Sequence, residues 1–196
     1  MPWKLSASFV FVLWWAGLLC CDVARAQHST HFSLEAQAGP WFRGGLGTGV
    51  SVLWGAGGKL PGQLLRMYFL LEAGAATTYE GDEYKERQDR FFGGLGMRAL
   101  LPLTPHLRVF GDLLGGFAAV DAELKLPVGV PIEQHNTHWQ WTLALGSQYR
   151  FDYAWSVGLR VHAQRTGEPL ALLRQQLGLA NRLWAYGITG GLTWHY

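Results

Sequence analysis

The sequence predicts an all-β fold, an eight-stranded antiparallel up-and-down transmembrane β-barrel. Residues 183–196 alternate between bulky apolar and small or polar side chains, which is typical of a strand with one apolar face. Eight segments with this alternation follow residue 27. Short turns and longer polar connections separate them in alternation, an arrangement that favours a barrel crossing a bilayer.

The final segment, 183–196, has the length of a membrane-spanning strand. Its apolar phase begins at Trp184 and ends at Tyr196, and every second residue between them is apolar except Gly190. A tilted strand needs about 9–11 residues to cross a bilayer. Aromatic side chains at both ends of the apolar face are expected where a strand passes the two membrane interfaces. An ordinary amphipathic edge strand is the alternative interpretation.

The other seven strands are predicted from the same period-two pattern. Gly39 and Pro40 are expected to end the first strand, and turn-forming or charged segments separate the others. In chain order the eight predicted strands are 31–39, 44–55, 64–79, 91–101, 107–119, 138–150, 154–165 and 183–196.

The connections between these strands divide into two kinds. Segments 55–62, 102–106 and 151–153 are predicted to be short turns. Segments 80–90, 120–137 and 166–182 are predicted to be long polar loops, the last with a helical turn over 170–177. Because membrane barrels combine short periplasmic turns with long outer loops, we expect both ends of the barrel domain on the periplasmic side. The connection 40–43 is short for an outer loop.

The composition of the two strand phases predicts which one faces lipid. The polar phase consists mainly of Gly, Ala, Ser, Thr and Gln with scattered charges and almost no Lys. A water-exposed protein surface carries far more charge. The apolar phase is also too bulky for eight strands to enclose. We therefore expect the apolar phase outside, against lipid. The alternative is a soluble periplasmic ligand-binding β-barrel, which would have the opposite orientation.

Aromatic residues near the strand ends are predicted to form two membrane belts. The predicted belt residues are Trp54, Tyr79, Phe91, Phe117, Trp139, Trp141, Tyr149, Trp155, Trp184, Trp194 and Tyr196.

The inward phase is predicted to hold a network of paired charges, because isolated charges in a narrow interior are costly. Both signs occur at comparable depths, so we expect the arginines, Arg108 included, to pair with the carboxylates. A paired interior is a largely plugged interior, and a narrow pore is the alternative. The predicted network consists of Glu35, Arg66, Glu72, Arg98, Arg108, Asp112, Arg160 and His162.

Residues 27–196 as a whole resemble the small eight-stranded outer-membrane β-barrels of Gram-negative bacteria, such as the transmembrane domain of outer membrane protein A. The closing strand carries the resemblance most clearly, with Tyr196, Trp194, Leu192 and Ile188 in the positions of a terminal insertion signal. The resemblance implies a porin-like architecture in the cell envelope. It also implies two kinds of partner: outer-membrane lipids including lipopolysaccharide, and the barrel assembly machinery, which would act through the C-terminal strand.

Residues 1–26 are predicted to be a signal peptide, which leaves 27–196 as the barrel domain. A basic start at Lys4 is followed by an apolar run and by Ala24-Arg25-Ala26, which matches a cleavage site. Export to the cell outer membrane is the expected consequence. The only cysteines, Cys20 and Cys21, lie within this segment, so the barrel domain has no disulfide.

The charge balance of residues 27–196 bears on one class of function. Beyond residue 26 there are 14 basic and 13 acidic residues, a balance that argues against nucleic-acid binding.

No catalytic, cofactor or metal site is predicted. Ser156 and His162 share one strand face but lie about 20 Å apart along an extended strand, too far for a nucleophile and its base. Glu133, His135 and His138 fall in a predicted loop without a helix to arrange them around a metal. We therefore expect a non-enzymatic protein with a structural or surface-interaction role, and a lipid-modifying outer-membrane enzyme is the alternative.

Overall fold

The structure is a computed structural model that describes residues 31–59, 64–81, 85–125, 130–168, 170–177 and 182–196. The predicted signal peptide, 1–26, lies outside the described residues. No helix in the described segments is long and apolar enough to cross a membrane. The elements are β1 (His31–Phe42), β2 (Leu46–Lys59), β3 (Arg66–Gly81), β4 (Lys85–Pro102), β5 (Leu107–Lys125), β6 (Ile132–Arg150), β7 (Trp155–Thr166), α1 (Ala171–Gln176) and β8 (Trp184–His195).

The eight strands form one closed antiparallel barrel in sequence order, which confirms the predicted fold class. Closure is made by β1 and β8, which pair from Ser33 opposite His195 to Phe42 opposite Tyr186. Beyond this ladder, the backbones of Phe32 and Tyr196 exchange two further hydrogen bonds of 3.0 and 3.1 Å. Every strand therefore has two hydrogen-bonded neighbours, and the sheet has no open edge.

The two ends of the barrel differ. The turn end holds His31, Tyr196 and the connections 60–65, 103–106 and 151–154. The loop end holds the connections 43–45, 82–84, 126–131 and 167–183. At the loop end, the chain reverses between β1 and β2 through Gly44, whose φ of 77° is a conformation that side chains other than glycine rarely adopt.

Burial alternates along each strand, with the apolar phase outside as predicted. In β7, Val157, Leu159 and Val161 are exposed, whereas Ser156, Arg160 and His162 in the alternate positions are buried. The same pattern repeats around the barrel and produces an apolar belt of outward-facing side chains. Such an inverted distribution is stable where the surrounding medium is hydrocarbon.

The strands extend farther at the loop end than the sequence pattern predicts. Segments 80–90 and 120–137 were predicted to be loops, but β3 continues to Gly81, β4 begins at Lys85, β5 continues to Lys125 and β6 begins at Ile132. In 85–90 both faces are polar, so the hydrophobic alternation that marks a strand is missing although the backbone ladder continues. The prediction of two long loops here was therefore wrong. The connection 167–183 is long, and it contains α1 at the predicted helical turn.

Pro40 does not end β1 as predicted. The strand continues to Phe42, and β1 and β8 keep one register on both sides of Gly39 and Pro40, which have no partner in β8. Proline lacks a backbone donor, so a gap in one ladder is where a strand tolerates it. On its other side Pro40 lies opposite Thr48 of β2.

Glycines on the inward phase provide space for aromatic rings that fill the barrel. A Cβ atom on Gly146 would lie 2.3 Å from Cζ of Phe110 and 2.5 Å from the carbonyl oxygen of Leu159. A Cβ atom on Gly74 would lie 2.5 Å from Cζ of Phe92. Both rings are buried, so the interior is packed with side chains.

Replacing Gly146 by valine should destabilise the barrel by about 1–3 kcal/mol, the usual cost of overpacking, because Phe110 and the β7 backbone cannot both move away. Gly190→Val is the matched control, since a Cβ atom there meets only the carbonyl oxygen of Gly158 at 4.0 Å. Urea unfolding followed by tryptophan fluorescence would measure both. Equal unfolding midpoints for the two variants would contradict a tightly packed interior.

Candidate functional site

A network of five buried charges occupies the middle of the barrel. Arg98 donates to both carboxylate oxygens of Asp112 at 2.7 and 3.0 Å and to Glu35 at 2.7 Å. Arg160 donates to Glu72 at 2.6 Å, and its Nε atom lies 3.2 Å from the Asp112 carboxylate. Three carboxylates and two guanidinium groups from five different strands are therefore linked across the lumen.

Neutral side chains add hydrogen bonds to these charges, although Nε and Nη2 of Arg160 have no hydrogen-bond partner among the described residues. Gln37 donates to Glu35, and its carbonyl oxygen accepts hydrogen bonds from Arg160 at 3.3 Å and Thr189 at 3.0 Å. The guanidinium carbon of Arg98 lies 3.9 Å from the centroid of the Phe110 ring. These contacts help to stabilise the buried network.

Apolar layers lie on both sides of the central network. The cluster towards the turn end consists of Leu53, Tyr68, Leu70, Leu100, Phe110 and Leu114, of which Leu53 is level with Glu35 and Leu114 follows Asp112 towards the loop end of β5. The cluster towards the loop end consists of Trp41, Ala76, Phe92, Ala118, Val120 and Ala185. The interior is thus a stack of apolar, charged and apolar layers, and side chains occupy its cross-section at each level.

Three residues predicted for the network lie elsewhere. Arg66 and Arg108 lie at the turn end, and none of the ion pairs among the described residues includes either of them. Arg108 is four residues from Asp112 on β5, about 13 Å along an extended strand, which is too far for the expected pairing. His162 packs against Trp41, with ring centroids 4.5 Å apart, and neither of its ring nitrogens has a hydrogen-bond partner in the described part of the chain.

The predicted belt residues lie on the outer surface in two groups. Towards the turn end, the Trp54 indole donates to the Tyr196 hydroxyl at 2.9 Å, and Trp194 packs against Tyr196 with ring centroids 4.6 Å apart. Towards the loop end, Phe117 and Trp139 meet edge to face at 4.7 Å. The turn-end group is Trp54, Tyr149, Trp155, Trp194 and Tyr196, and the loop-end group is Tyr79, Phe91, Phe117, Trp139, Trp141 and Trp184.

A second charge network at the loop end was missed by sequence reasoning. Glu86 accepts from Arg174 of α1, and Glu80 accepts from Arg182. Arg43 contacts Glu168 at 3.4 Å. The acidic members, Glu80, Glu86 and Glu168, fall in segments predicted to be polar loops. These pairs were missed because the sequence pattern does not show that α1 packs against the loop end of the barrel.

The described residues 170–177, which contain α1, also make apolar contacts at the loop end. Leu170 is fully buried against Ala122 and Leu124, and Leu173 and Leu177 pack around them. Arg43 fixes the two ends of the connection, since it donates to the carbonyl oxygens of Gly167 at 3.0 Å and Arg182 at 2.9 Å. The loop end is thus covered by its own chain.

Glu86 lies five residues before Phe91, outside the apolar belt. Burial raises the pKa of the Glu86 carboxyl above its usual value. The hydrogen bond from Gln88 and the positive charge of Arg174 oppose this shift. The folded loop-end network therefore holds a proton on Glu86 more tightly than an exposed glutamate would.

A serine–histidine contact also escaped sequence reasoning. The Ser156 hydroxyl and the His195 Nε2 atom share a hydrogen bond between β7 and β8 at the turn end. The sequence pattern pointed only to His162, which shares a strand with Ser156. Ser156 is only 1% exposed, and no hydrogen bond between His195 and a carboxylate exists among the described residues. A serine hydrolase needs an accessible hydroxyl and an oriented base, so this contact better fits a structural role.

The histidines of the predicted loop 120–137 and of the strand that follows it are not gathered around a common point. His135 contacts Asp121 across β5 and β6, whereas the side chain of His138 lies beside Gly167. In the described segments, no group of three or more His, Cys, Asp or Glu side chains could hold a metal ion.

Comparison with known proteins identifies the fold without identifying a family. No family model matches the chain, and no curated protein sequence matches it. Solved structures do match. A major outer membrane protein from Thermus thermophilus is 16% identical, with a TM-score of 0.60 over 86% of this chain and 100% of that one.

Two further similar structures have different printed descriptions. The outer membrane enzyme PagL is 12% identical, with a TM-score of 0.53 over 82% of this chain and 97% of that one. The attachment invasion locus protein Ail of Yersinia pestis, in complex with a heparin analogue, is 8% identical, with a TM-score of 0.50 over 86% of this chain and 100% of that one. At these identities the likeness is one of fold, the small outer-membrane β-barrel.

Replacing Arg160 by alanine should destabilise the barrel by about 3–5 kcal/mol, because Glu72 would remain buried without its cation. Arg87→Ala is the matched control. Arg87 pairs with Asp89 at 2.8 Å in an exposed position, where solvent screens the interaction, so its loss should leave stability nearly unchanged. Denaturant midpoints measure both variants, and an Arg160→Ala midpoint equal to that of Arg87→Ala would refute the network's role.

Proposed function

We propose that this chain is an integral protein of the outer membrane of Gram-negative bacteria, with a closed interior and a structural or surface-interaction role. The observation that carries this proposal is the continuous apolar belt around a closed barrel. Leu143 and Leu145 of β6 are 52% and 72% exposed, for example, and equivalent apolar residues occur on the other strands. Such a surface needs hydrocarbon around it.

The two aromatic groups support an orientation across a bilayer. They lie at opposite ends of the apolar belt, where amphipathic rings meet lipid headgroups. Polar strand surface follows the loop-end group, with Lys85, Arg87 and Asp89 facing outward beyond Phe91. We place the loop end outside the cell and the turn end in the periplasm, in line with the usual arrangement of such barrels.

The partners proposed for the chain follow from this placement. Outer-membrane lipids, including lipopolysaccharide, would contact the belt and the outward charges at the loop end. The barrel assembly machinery would act on the C-terminal strand, β8, whose pairing with β1 closes the sheet. We assign no cofactor and no nucleic acid.

The lipid-modifying enzyme is the second candidate, and the contact between Ser156 and His195 is the observation that favours it. The likeness to the enzyme PagL extends to the fold alone. Because Ser156 is buried inside the barrel, an acyl ester in the membrane could not reach its hydroxyl. A non-enzymatic role is the better proposal.

The protein should fractionate with the outer membrane and should migrate differently in SDS gels before and after boiling. A closed ladder resists SDS until heat breaks its hydrogen bonds together, so unboiled protein should remain compact. A soluble periplasmic barrel would instead appear in the osmotic shock fluid. Recovery there, with identical mobility before and after boiling, would contradict the proposed location.

Purified protein in planar bilayers should show no large, steady single-channel conductance. The stacked layers leave little room for solute, and the charged layer is closed by ion pairs from five strands. Arg160→Ala removes two of those pairs, to Glu72 and to Asp112, and is the variant in which a narrow conducting path is expected. A stable, high conductance of the unmodified protein would overturn the closed interior and favour the pore.

A further inference from the structure

The inward phase at the turn end is basic on six of the eight strands. These residues lie at the last inward position of β1, β2, β3, β5, β6 and β8. We call them the basic mouth: His31, Lys59, Arg66, Arg108, Arg150 and His195.

Cross-strand register and electrostatics place members of the basic mouth next to one another. Lys59 lies directly opposite Arg66 in the β2–β3 ladder. The positive charges of Arg66, Arg108 and Arg150 all act on the His31 ring. Arg108 in turn is acted on by Arg150 and Arg66. Residues from separate strands thus form one concentrated positive region at the end of the lumen.

No ion pair among the described residues joins a member of the basic mouth to a carboxylate. Glu35 acts on His195, but it is already bound by Arg98 at 2.7 Å. Asp152 lies in the turn 151–154, and its carboxylate accepts from the backbone N–H of Tyr153 at 2.6 Å. Acidic side chains therefore do not engage the donors of the basic mouth.

Arg108 is the most buried member of the basic mouth. It is only 5% exposed, and none of the hydrogen bonds or ion pairs within the described residues involves its guanidinium. Arg150 directs its donors to the carbonyl oxygens of Asp152 and Tyr153 in the neighbouring turn. None of its guanidinium nitrogens is enclosed without a partner, so they reach the open end of the lumen, where no carboxylate engages them and an incoming anion can.

We propose that the basic mouth binds a phosphate-class oxyanion, with Arg108 as its main donor and with Arg66 and Arg150 around it. Guanidinium groups match this chemistry because their paired N–H donors fit two oxygens of one phosphate. The apolar layer that contains Tyr68, Leu100 and Phe110 lies immediately inside, so the site is a closed end and the anion does not pass through the barrel.

Two sources could supply the anion, since the inner leaflet presents phospholipid phosphates and the periplasm contains free phosphate. The basic mouth faces the lumen and not the lipid belt. Calorimetric titration of the folded protein in a zwitterionic detergent with inorganic phosphate, at constant ionic strength set by chloride, tests the shared chemistry. The same titration in phosphatidylcholine vesicles with and without phosphatidylglycerol separates the sources.

The unmodified protein should bind phosphate at one saturable site, and Arg108→Gln should weaken binding by roughly tenfold or more, as expected for loss of a charge-assisted pair. Arg165→Gln, which removes an exposed outward-facing cation near the loop end, is the matched control and should bind normally. Competition by phosphatidylglycerol would assign the site to a lipid headgroup, and its absence would assign it to free phosphate.

A stability measurement keeps the proposal testable apart from calorimetry. Phosphate should raise the unfolding midpoint of the unmodified protein but not that of Arg108→Gln, because a ligand stabilises only the state that binds it. In phosphate-free buffer, Arg108→Gln should be at least as stable as the unmodified protein, since the repulsion of Arg108 by Arg150 and Arg66 has been removed. Equal responses of Arg108→Gln and Arg165→Gln to phosphate would overturn the proposal.

Discussion

Closure of the sheet between β1 and β8 is the constraint on which the rest of the structure depends. It gives every strand two hydrogen-bonded neighbours, which a sheet surrounded by hydrocarbon requires because no water is present to satisfy an open edge. Closing only eight strands leaves a lumen as wide as a few side chains. The inward phase must therefore be filled, and glycines such as Gly146 are needed where a ring as large as Phe110 enters. Charges inside so narrow a space must be paired, as Arg98 and Asp112 are.

The two ends of the barrel differ in how their charged side chains are paired. At the loop end, Arg174 and Glu86 are paired beneath a connection that also buries Leu170, so charge and apolar cover are satisfied by the chain itself. At the turn end, Arg108 is buried beside other cations without a carboxylate. The loop-end charges are thus paired within the chain, whereas the turn end keeps the cations that we propose as an anion site.

Much of the fold follows from the sequence because a two-residue period is unambiguous where one face is bulky and the other small, as in β7 from Trp155 to Thr166. The pattern of an apolar outer face ends where the strands extend beyond the apolar belt. Both faces of segment 85–90 are polar, and in segment 120–125 the apolar residues Val120, Ala122 and Leu124 face inward while the outer face is polar. The sequence also predicts which charged residues face the lumen. It does not predict which of them form ion pairs, because strand tilt and register decide which side chains meet. Asp112 contacts Arg98 and Arg160, whereas Arg108 on the same strand contacts none of the three carboxylates Glu35, Glu72 and Asp112. The Ser156–His195 contact depends on the β7–β8 register in the same way.

Spin-label accessibility along β6 tests the central claim, that the apolar phase faces lipid around a filled lumen. Both cysteines of the chain lie at positions 20 and 21, so single-cysteine labels are free of background in protein produced from residue 27 onward. Labels at Leu143 and Leu145 in phospholipid vesicles should collide readily with oxygen and hardly with a water-soluble nickel complex, whereas a label at Glu133 on the same face should show the reverse. Immobile labels at Leu143 and Leu145, shielded from both reagents, would contradict this claim, because they would place the apolar phase inside.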